Sequence, residues 1–400
     1  MSLLRRRDVR LLLAGYALSA LGDYLALLVL TIRVHDLTGS GLAVAGLLLA
    51  GIVPTLVLGP VAGYLVDRFE TVRVLVAGAL ASAGFAVGLA LTTNLTVLYL
   101  LAFGLGAAAT ATRPAVFALL PRVVDEAELV RANSLVEVAQ FGGATLGPFL
   151  GGLLSAQLGT GWALLLNAGT FLALAVAGAA LRVRRHPAAA GGGPDRPGEE
   201  LRRGVALMVS DRVLLLAVGV VVGLVLFVAA GNVAEVFLAK DVLRAGDAGF
   251  GLLTAGWAAG MVAGVLLLAR RVPPGRMVNA LLAAAAVTGL ATMVAGATPV
   301  LAVAVIAYVA GGGANGIANV AVRTLIQQRV PDGLRGRAYG TYAAAASAAE
   351  LAATGLGGIA VATLGARGTL IAGGTAALLV ATVATLFWLR LGPEVRAPAF

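Results

Sequence analysis

The sequence predicts an all-α polytopic membrane protein, with twelve membrane-crossing helices in two six-helix halves related by pseudo-two-fold symmetry. Three observations carry this. The 400-residue chain is 60% hydrophobic and only 12% charged, more apolar than a soluble domain of that size can bury. Its apolar residues fall into separate stretches of about 20 or more, the length that crosses a bilayer core, and the charges collect in the gaps. The two halves of the chain also match each other at a nearly constant offset. Asp36, Gly41, Gly46, Gly51 and Gly59 fall on Asp241, Gly246, Gly251, Gly256 and Gly264, while Arg131-Ala132 falls on Arg337-Ala338 and Gly151-Gly152 on Gly357-Gly358. Such an offset marks a parallel repeat about an axis along the membrane normal. A β-barrel would instead show short alternating segments.

The spans are expected at Arg10–Arg33, Leu42–Val66, Val72–Thr93, Thr96–Leu119, Leu135–Leu158 and Gly161–Leu181 in the first half. Those of the second half are Val213–Leu238, Gly249–Ala269, Val278–Ala297, Leu301–Leu325, Tyr339–Leu364 and Thr369–Leu389. The halves occupy residues 1–183 and 213–400, the latter with a short tail. The linker 184–212 contains AAAGGGPDRPGEE, whose Gly and Pro oppose a single rigid path. Its end, Glu199 to Val213, reads as a surface amphipathic helix.

The net charge of +10 could suggest nucleic acid, but its placement argues for a membrane. Arg5, Arg6, Arg7 and Arg10 precede the first span, and Arg182, Arg184, Arg185, Arg196, Arg202 and Arg203 sit in the linker. The opposite loops carry only Arg33, Lys240, Arg244 and Arg367. This bias puts both termini and the linker in the cytoplasm. The chain has no Cys and only two His, His35 and His186, so thiolate, zinc or His-based catalytic sets are not expected. The only Lys, Lys240, follows Ala239, which excludes a Walker-type ATP loop. Gly311 to Gly316 fits G-x-G-x-x-G but lies in a membrane span with no preceding strand, so no dinucleotide site is expected. Neither an enzyme nor a cofactor is predicted.

Charge inside a span is costly and therefore points to function. Asp23 lies near the middle of span 1, Arg113 in the inner half of span 4, and Glu137 and Gln140 in the inner part of span 5. Asn232 and Glu235 lie in the outer part of span 7. Asn315, Asn319 and Arg323 descend one face of span 10, and Glu350 is near the middle of span 11. Most of this set falls on spans 1, 4, 7 and 10, the same place in each three-helix repeat, which suggests that these helices line a polar cavity. Asp23, Arg113, Gln140, Asn232, Asn315, Asn319 and Arg323 are the candidate cavity residues. Asp23, Glu350, Glu137 and Glu235 are candidate proton sites, because a carboxylate at such depth can couple its protonation to the state of a cavity. Each has a structural alternative: the arginines can snorkel, Glu137 and Glu235 can form structural pairs, and the asparagines can tie helices together.

Two glycine rows stand out. Gly143, Gly147 and Gly151 recur every four residues in span 5, interrupted by Pro148, which is expected to bend the helix. Gly256, Gly260 and Gly264 form a second row in span 8.

Three patterns resemble the major facilitator superfamily over nearly the whole chain. Gly143-x-x-x-Gly147-Pro148-x-x-Gly151-Gly152 resembles its antiporter signature, with Ser134 where the family has a further Gly. Gly63, Asp67, Arg68 and Arg73 resemble the conformational-switch loop between spans 2 and 3, with Glu70-Thr71 replacing the family's Gly-Arg. Arg113-Pro114-Ala115 through Pro121, followed by Ala132-Asn133-Ser134-Leu135, is similar to the branch of macrolide-efflux and enterobactin-exporter proteins. The resemblance implies the major facilitator fold and export of a small amphipathic or hydrophobic, drug-like compound by alternating access in exchange for protons. A siderophore or metabolite exporter, or an importer or facilitator of the same fold, is the alternative. It places spans 5 and 8 opposite each other, so the two glycine rows are expected to meet in a smooth seam. The expected partners are a small-molecule substrate, protons and the lipid bilayer of the cell membrane, with the chain acting as a monomer and binding no nucleic acid.

Overall fold

The computed structural model describes residues 3–125, 128–183, 205–206, 208–271, 274–331 and 334–391. Of the expected amphipathic helix Glu199–Val213, residues 199–204 and 207 lie outside them. The described residues are helical almost throughout. In order they form α1 (Arg7–Thr38), α2 (Gly41–Arg68), α3 (Thr71–Leu91), α4 (Leu95–Ala109), α5 (Thr112–Val123), α6 (Leu129–Leu158) and α7 (Thr160–Ala179). Then follow α8 (Arg212–Val228), α9 (Gly231–Phe237) with a π turn at Leu238–Val242, α10 (Gly246–Arg271), α11 (Met277–Ala297), α12 (Leu301–Arg329) and α13 (Arg335–Arg390). Among the described residues, ten segments are long and apolar enough to cross a membrane. One of these is the 56-residue α13, which Gly365 (φ 69°, ψ 176°) divides into two arms. The thirty-residue α6 adds a further span by length, and the twelve expected spans are accounted for.

Two of them are not continuous helices. Span 4 is interrupted between α4 and α5 at Thr110–Ala111. Pro114 explains this, since it has no N–H to give to Thr110 and its ring would collide with that carbonyl. Span 7 is interrupted at Ala229–Ala230, where Asn232 and Val233 donate to the carbonyls three residues back rather than four, a tightened turn.

The chain divides into two compact units, one of residues 1–191 and 245–255, the other of 192–244 and 256–400. In the first, α1 packs along α6 and α7, and α3 lies on α7. Its core is built from Leu12, Leu75, Leu119, Leu120 and Leu174, all at most 2% exposed. The short segment 245–255 packs on the C-terminal part of α6. There Ser155 donates to Asp247 at 2.7 Å, and Gly152 and Gly251 meet backbone to backbone. In the second unit α11 packs on α12 and α13, and α8 on α13. Leu214, Leu224, Leu281, Val322 and Ile326 form the centre of its core.

Within its own unit each glycine row is met by a neighbouring helix. A Cβ at Gly143, Gly147 or Gly151 would meet the α1 backbone, 2.8 Å from the Ala20 carbonyl carbon, 2.7 Å from Leu21 O and 3.1 Å from Leu25 O. Gly256 faces Val305 and Val309 of α12, and Gly260 and Gly264 lie directly on the Val309 and Gly313 carbonyls. Small residues let two backbones approach within Cα–H···O range.

The repeat shows at the first helix of each unit with its charges reversed. Arg6, just before α1, pairs with Asp125 and Glu128 of the α5–α6 connection. The Arg6 guanidinium holds the Asp125 carboxyl below its ordinary value. Asp211, just before α8, caps that helix by accepting from Val213 and Leu214 and binds Arg329 at 3.0 Å. Arg6 and Asp211 are repeat mates, as are Asp125 and Arg329 to within one residue. The acid and base have exchanged places.

Substituting Gly143 or Gly260 by Ala is expected to lower the thermal stability of the purified protein by about 1–3 kcal/mol, the cost of overpacking. Gly142→Ala, whose Cβ meets nothing within 4 Å, is expected to be neutral or slightly stabilising. Melting curves in detergent measure both.

Candidate functional site

Some of the expected polar residues are brought together within each unit, and others stand apart. In the first, α1 brings Tyr16, Asp23 and Tyr24, α5 brings Arg113, and α6 brings Glu137 and Gln140. The Tyr16 hydroxyl donates to Gln140 Oε1 at 2.8 Å, and Gln140 Nε2 donates to the Tyr24 hydroxyl at 3.0 Å. One amide therefore bridges two tyrosines a little over two helical turns apart on α1, directly above the row where Gly143 and Gly147 bring α6 against the same helix. Arg113 Nη2 donates to Glu137 Oε1 at 3.1 Å, and its guanidinium lies 5.7 Å from the centre of the Phe117 ring. The charges of Arg113, Asp23 and Glu137 all reach the Tyr16 hydroxyl.

Asp23 stands apart from this network. It lies at the midpoint of α1 with its side chain exposed. Among the described residues its carboxylate has no hydrogen-bond or ion-pair partner. The neighbouring Gly22 is buried against Asn167 and Thr170 of α7, which aims residue 23 away from that helix. Asn167 is fully buried and its Nδ2 has no acceptor among the described residues.

In the second unit, Asn319 Nδ2 donates to Asn315 Oδ1 at 2.9 Å, one turn apart on α12. Tyr342 of α13 donates to Asn319 Oδ1 at 3.4 Å, and Tyr339 donates to the Arg323 carbonyl at 3.0 Å. Arg323 is exposed. Glu350 sits at the midpoint of the first arm of α13, exposed, and its carboxylate has no partner among the described residues. Glu235 of α9 is only 8% exposed and its charge reaches Tyr308, whose ring stands edge-on to Trp257 at 6.0 Å. Asn232 is exposed one turn earlier.

Sequence reasoning missed the tyrosines that complete these networks. Tyr16 and Tyr24 bind Gln140, and Tyr339 and Tyr342 bind the α12 residues. Each lies within an apolar span where a tyrosine reads as packing, and only the position of the facing helix turns its hydroxyl into a ligand. The resembling switch loop is described in part. The Gly63 and Asp67 side chains lie outside the described residues, Arg68 is exposed at the end of α2, and Arg73 bonds Glu70 at 2.7 Å. Glu70, which stands where the family has glycine, thus engages the loop's own arginine.

Residues 12–354 match the model of the Major Facilitator Superfamily. The chain is 27% identical over 366 residues to the MFS-type transporter YfiS of Bacillus subtilis (strain 168), covering 88% of this chain and 87% of that protein. It is 29% identical over 299 residues to the enterobactin exporter EntS of Salmonella choleraesuis (strain SC-B67), covering 71% and 69%. Among solved structures, a POT family transporter in complex with 5-aminolevulinic acid superposes with a TM-score of 0.74 at 11% identity, covering 98% of this chain and 97% of that one. That likeness shows the fold.

The Tyr16–Gln140–Tyr24 bridge is testable by itself. Tyr16→Phe and Gln140→Leu are each expected to destabilise the protein by about 0.5–1.5 kcal/mol, and the double variant by less than their sum, since both remove one shared bond. Thermal melts of the three variants measure this. A match over most of the chain, two transporter relatives and a shared fold lead to one conclusion: the chain belongs to the Major Facilitator Superfamily, as a multi-pass membrane transporter of small molecules.

Proposed function

We propose that the protein is a secondary active exporter of small amphipathic or hydrophobic compounds, working by alternating access in exchange for protons. The observation that carries this reading is the pair of carboxylates Asp23 and Glu350. Each lies at the midpoint of a membrane-crossing helix, exposed and without a partner among the described residues. A charge held there with no structural pairing is expensive, and proton exchange gives it a use. In this scheme substrate binding favours loss of a proton on one side, and reloading on the other returns the empty carrier. Glu137 and Glu235, one salt-bridged and one buried, are the secondary candidates for that role.

The antiporter-like run Gly143 to Gly152 supports export over import, and the arginine bias supports an inner or plasma membrane location with cytoplasmic termini. A monomer is sufficient for this mechanism. The siderophore reading is favoured by one specific observation: one of the relatives is named an enterobactin exporter.

The test is proton movement in proteoliposomes on adding a macrolide or a catechol siderophore. Wild type is expected to move protons with substrate. Asp23→Asn or Glu350→Gln is expected to reduce that movement by about tenfold or more, while substrate binding persists. Transport that ignores the pH gradient in wild type would refute proton exchange.

A further inference from the structure

The asparagine row of α12 has one polar edge left over. Asn315 is the fifteenth of the 29 residues of α12, so about 21 Å of helix separates it from either end. A side chain as short as asparagine does not reach the membrane surface from there. The other faces of the helix are taken. Gly312 and Gly316 lie on the Trp257 and Met261 carbonyls of α10, and Ala314, Ala318, Ala321 and Val322 are in the core of the unit. On the remaining face Asn315 and Asn319 are half-buried and Arg323 is exposed.

The hydrogen bonds fix which edge of Asn315 is left. Asn319 Nδ2 donates twice to Asn315, to its backbone carbonyl at 3.0 Å and to its Oδ1 at 2.9 Å, which uses both of its N–H groups. Asn319 Oδ1 in turn accepts from the Tyr342 hydroxyl at 3.4 Å. The chain therefore runs one way, from Tyr342 through Asn319 to Asn315. The Asn315 oxygen is turned to Asn319, so its Nδ2, with two donors, lies on the other side of the planar amide. Among the described residues nothing accepts from that nitrogen. It is also accessible, since the sealed side-chain atoms without a partner lie elsewhere, at Ser82, Asn167 and Thr288 among others. The network of the first unit is different. It ends on the Tyr24 hydroxyl, which both donates and accepts.

An unpartnered N–H pair at that depth must face water or a ligand. A compound that displaces the water has to supply an acceptor or lose the bond. The edge is donor-only and uncharged. A cation gains nothing from it, whereas a neutral carbonyl oxygen accepts without bringing a charge that needs its own counter-ion. The charged residue on this face, Arg323, is eight residues further along, about 12 Å.

We propose that Asn315 is a specificity-determining residue that recognises a neutral carbonyl oxygen on the cargo, and that Asn319, backed by Tyr342, is the positioning residue that keeps its donor edge outward. The inference rests on the exporter reading and narrows its cargo to apolar compounds bearing a ketone, ester or amide carbonyl.

The test uses two fluorescent probes of one shape, a propionyl-dimethylaminonaphthalene and its propyl counterpart, in which a methylene replaces the ketone. Binding to the full chain in lipid nanodiscs is titrated, with empty nanodiscs subtracted. The emission of the ketone also moves to longer wavelength when its oxygen accepts a hydrogen bond. Asn315→Leu, similar in shape but without donors, is expected to lower the ketone-to-propyl affinity ratio about five- to tenfold and to shift the ketone emission to shorter wavelength, with propyl binding unchanged. Asn319→Leu leaves the Asn315 amide able to turn either edge outward, so the ratio is expected to fall about twofold with a partial emission shift. A purely structural role for Asn319 would weaken both probes together and leave ratio and emission as in wild type. Melting curves control for folding, and Asn315→Ala reads the same ratio if the leucine variant does not fold. A ratio and emission maximum unchanged by removal of the Asn315 amide overturn the inference, as does failure of wild type to bind the ketone. Substrate-driven proton flux judges the exporter reading separately, so flux alongside an unchanged ratio leaves that reading standing and removes this one.

Discussion

The absence of water in the bilayer core governs this structure. Every polar group placed there must find a partner within the protein or face a water-filled cavity. Most of the intramembrane polar residues meet the first condition. Gln140 is held by two tyrosines, and Asn319 is held by Asn315 and Tyr342. These bonds tie α6 to α1 and α13 to α12. Asp23 and Glu350 are left unpaired among the described residues, and Arg113 is only partly engaged. The contrast separates residues that tie the helices together from residues to which the described structure gives little or no pairing.

The frame itself is held together mainly by close backbone approach. In hydrocarbon there is little hydrophobic reward for bringing helices together, so packing contacts must supply it. The glycine rows do this within each unit, α6 against α1 and α10 against α12. Because α1 carries Asp23, the row on α6 also sets where that carboxylate sits. The antiporter-like motif thus acts on the candidate proton site through the position of its helix.

Internal symmetry is retained in architecture more than in side chains. The tie before the first helix of each unit is kept while its acid and base trade places. An ion pair holds two elements equally well with either polarity, so the geometry persists through the exchange. The candidate sites have diverged further. Two tyrosines and a glutamine in one unit stand against an asparagine pair and a tyrosine in the other.

By itself the sequence determined the fold class, the approximate spans and which residues carry charge or amide groups into the membrane. These follow from hydropathy over windows of about 20 residues and from the high cost of intramembrane charge, both local properties of the chain. The break in span 4 was implicit in Pro114, whereas the break at Ala229–Ala230 has no proline to announce it. Tertiary structure alone decided which helix fills each glycine row, which tyrosines reach Gln140 and Asn319, and that Glu137 is the partner of Arg113. A row of glycines states only that some backbone approaches, and a tyrosine in an apolar span has the same periodicity whether its hydroxyl is bonded or not. The identity of the facing helix depends on how residues 23 to 124 positions apart are brought together, and no local pattern records it.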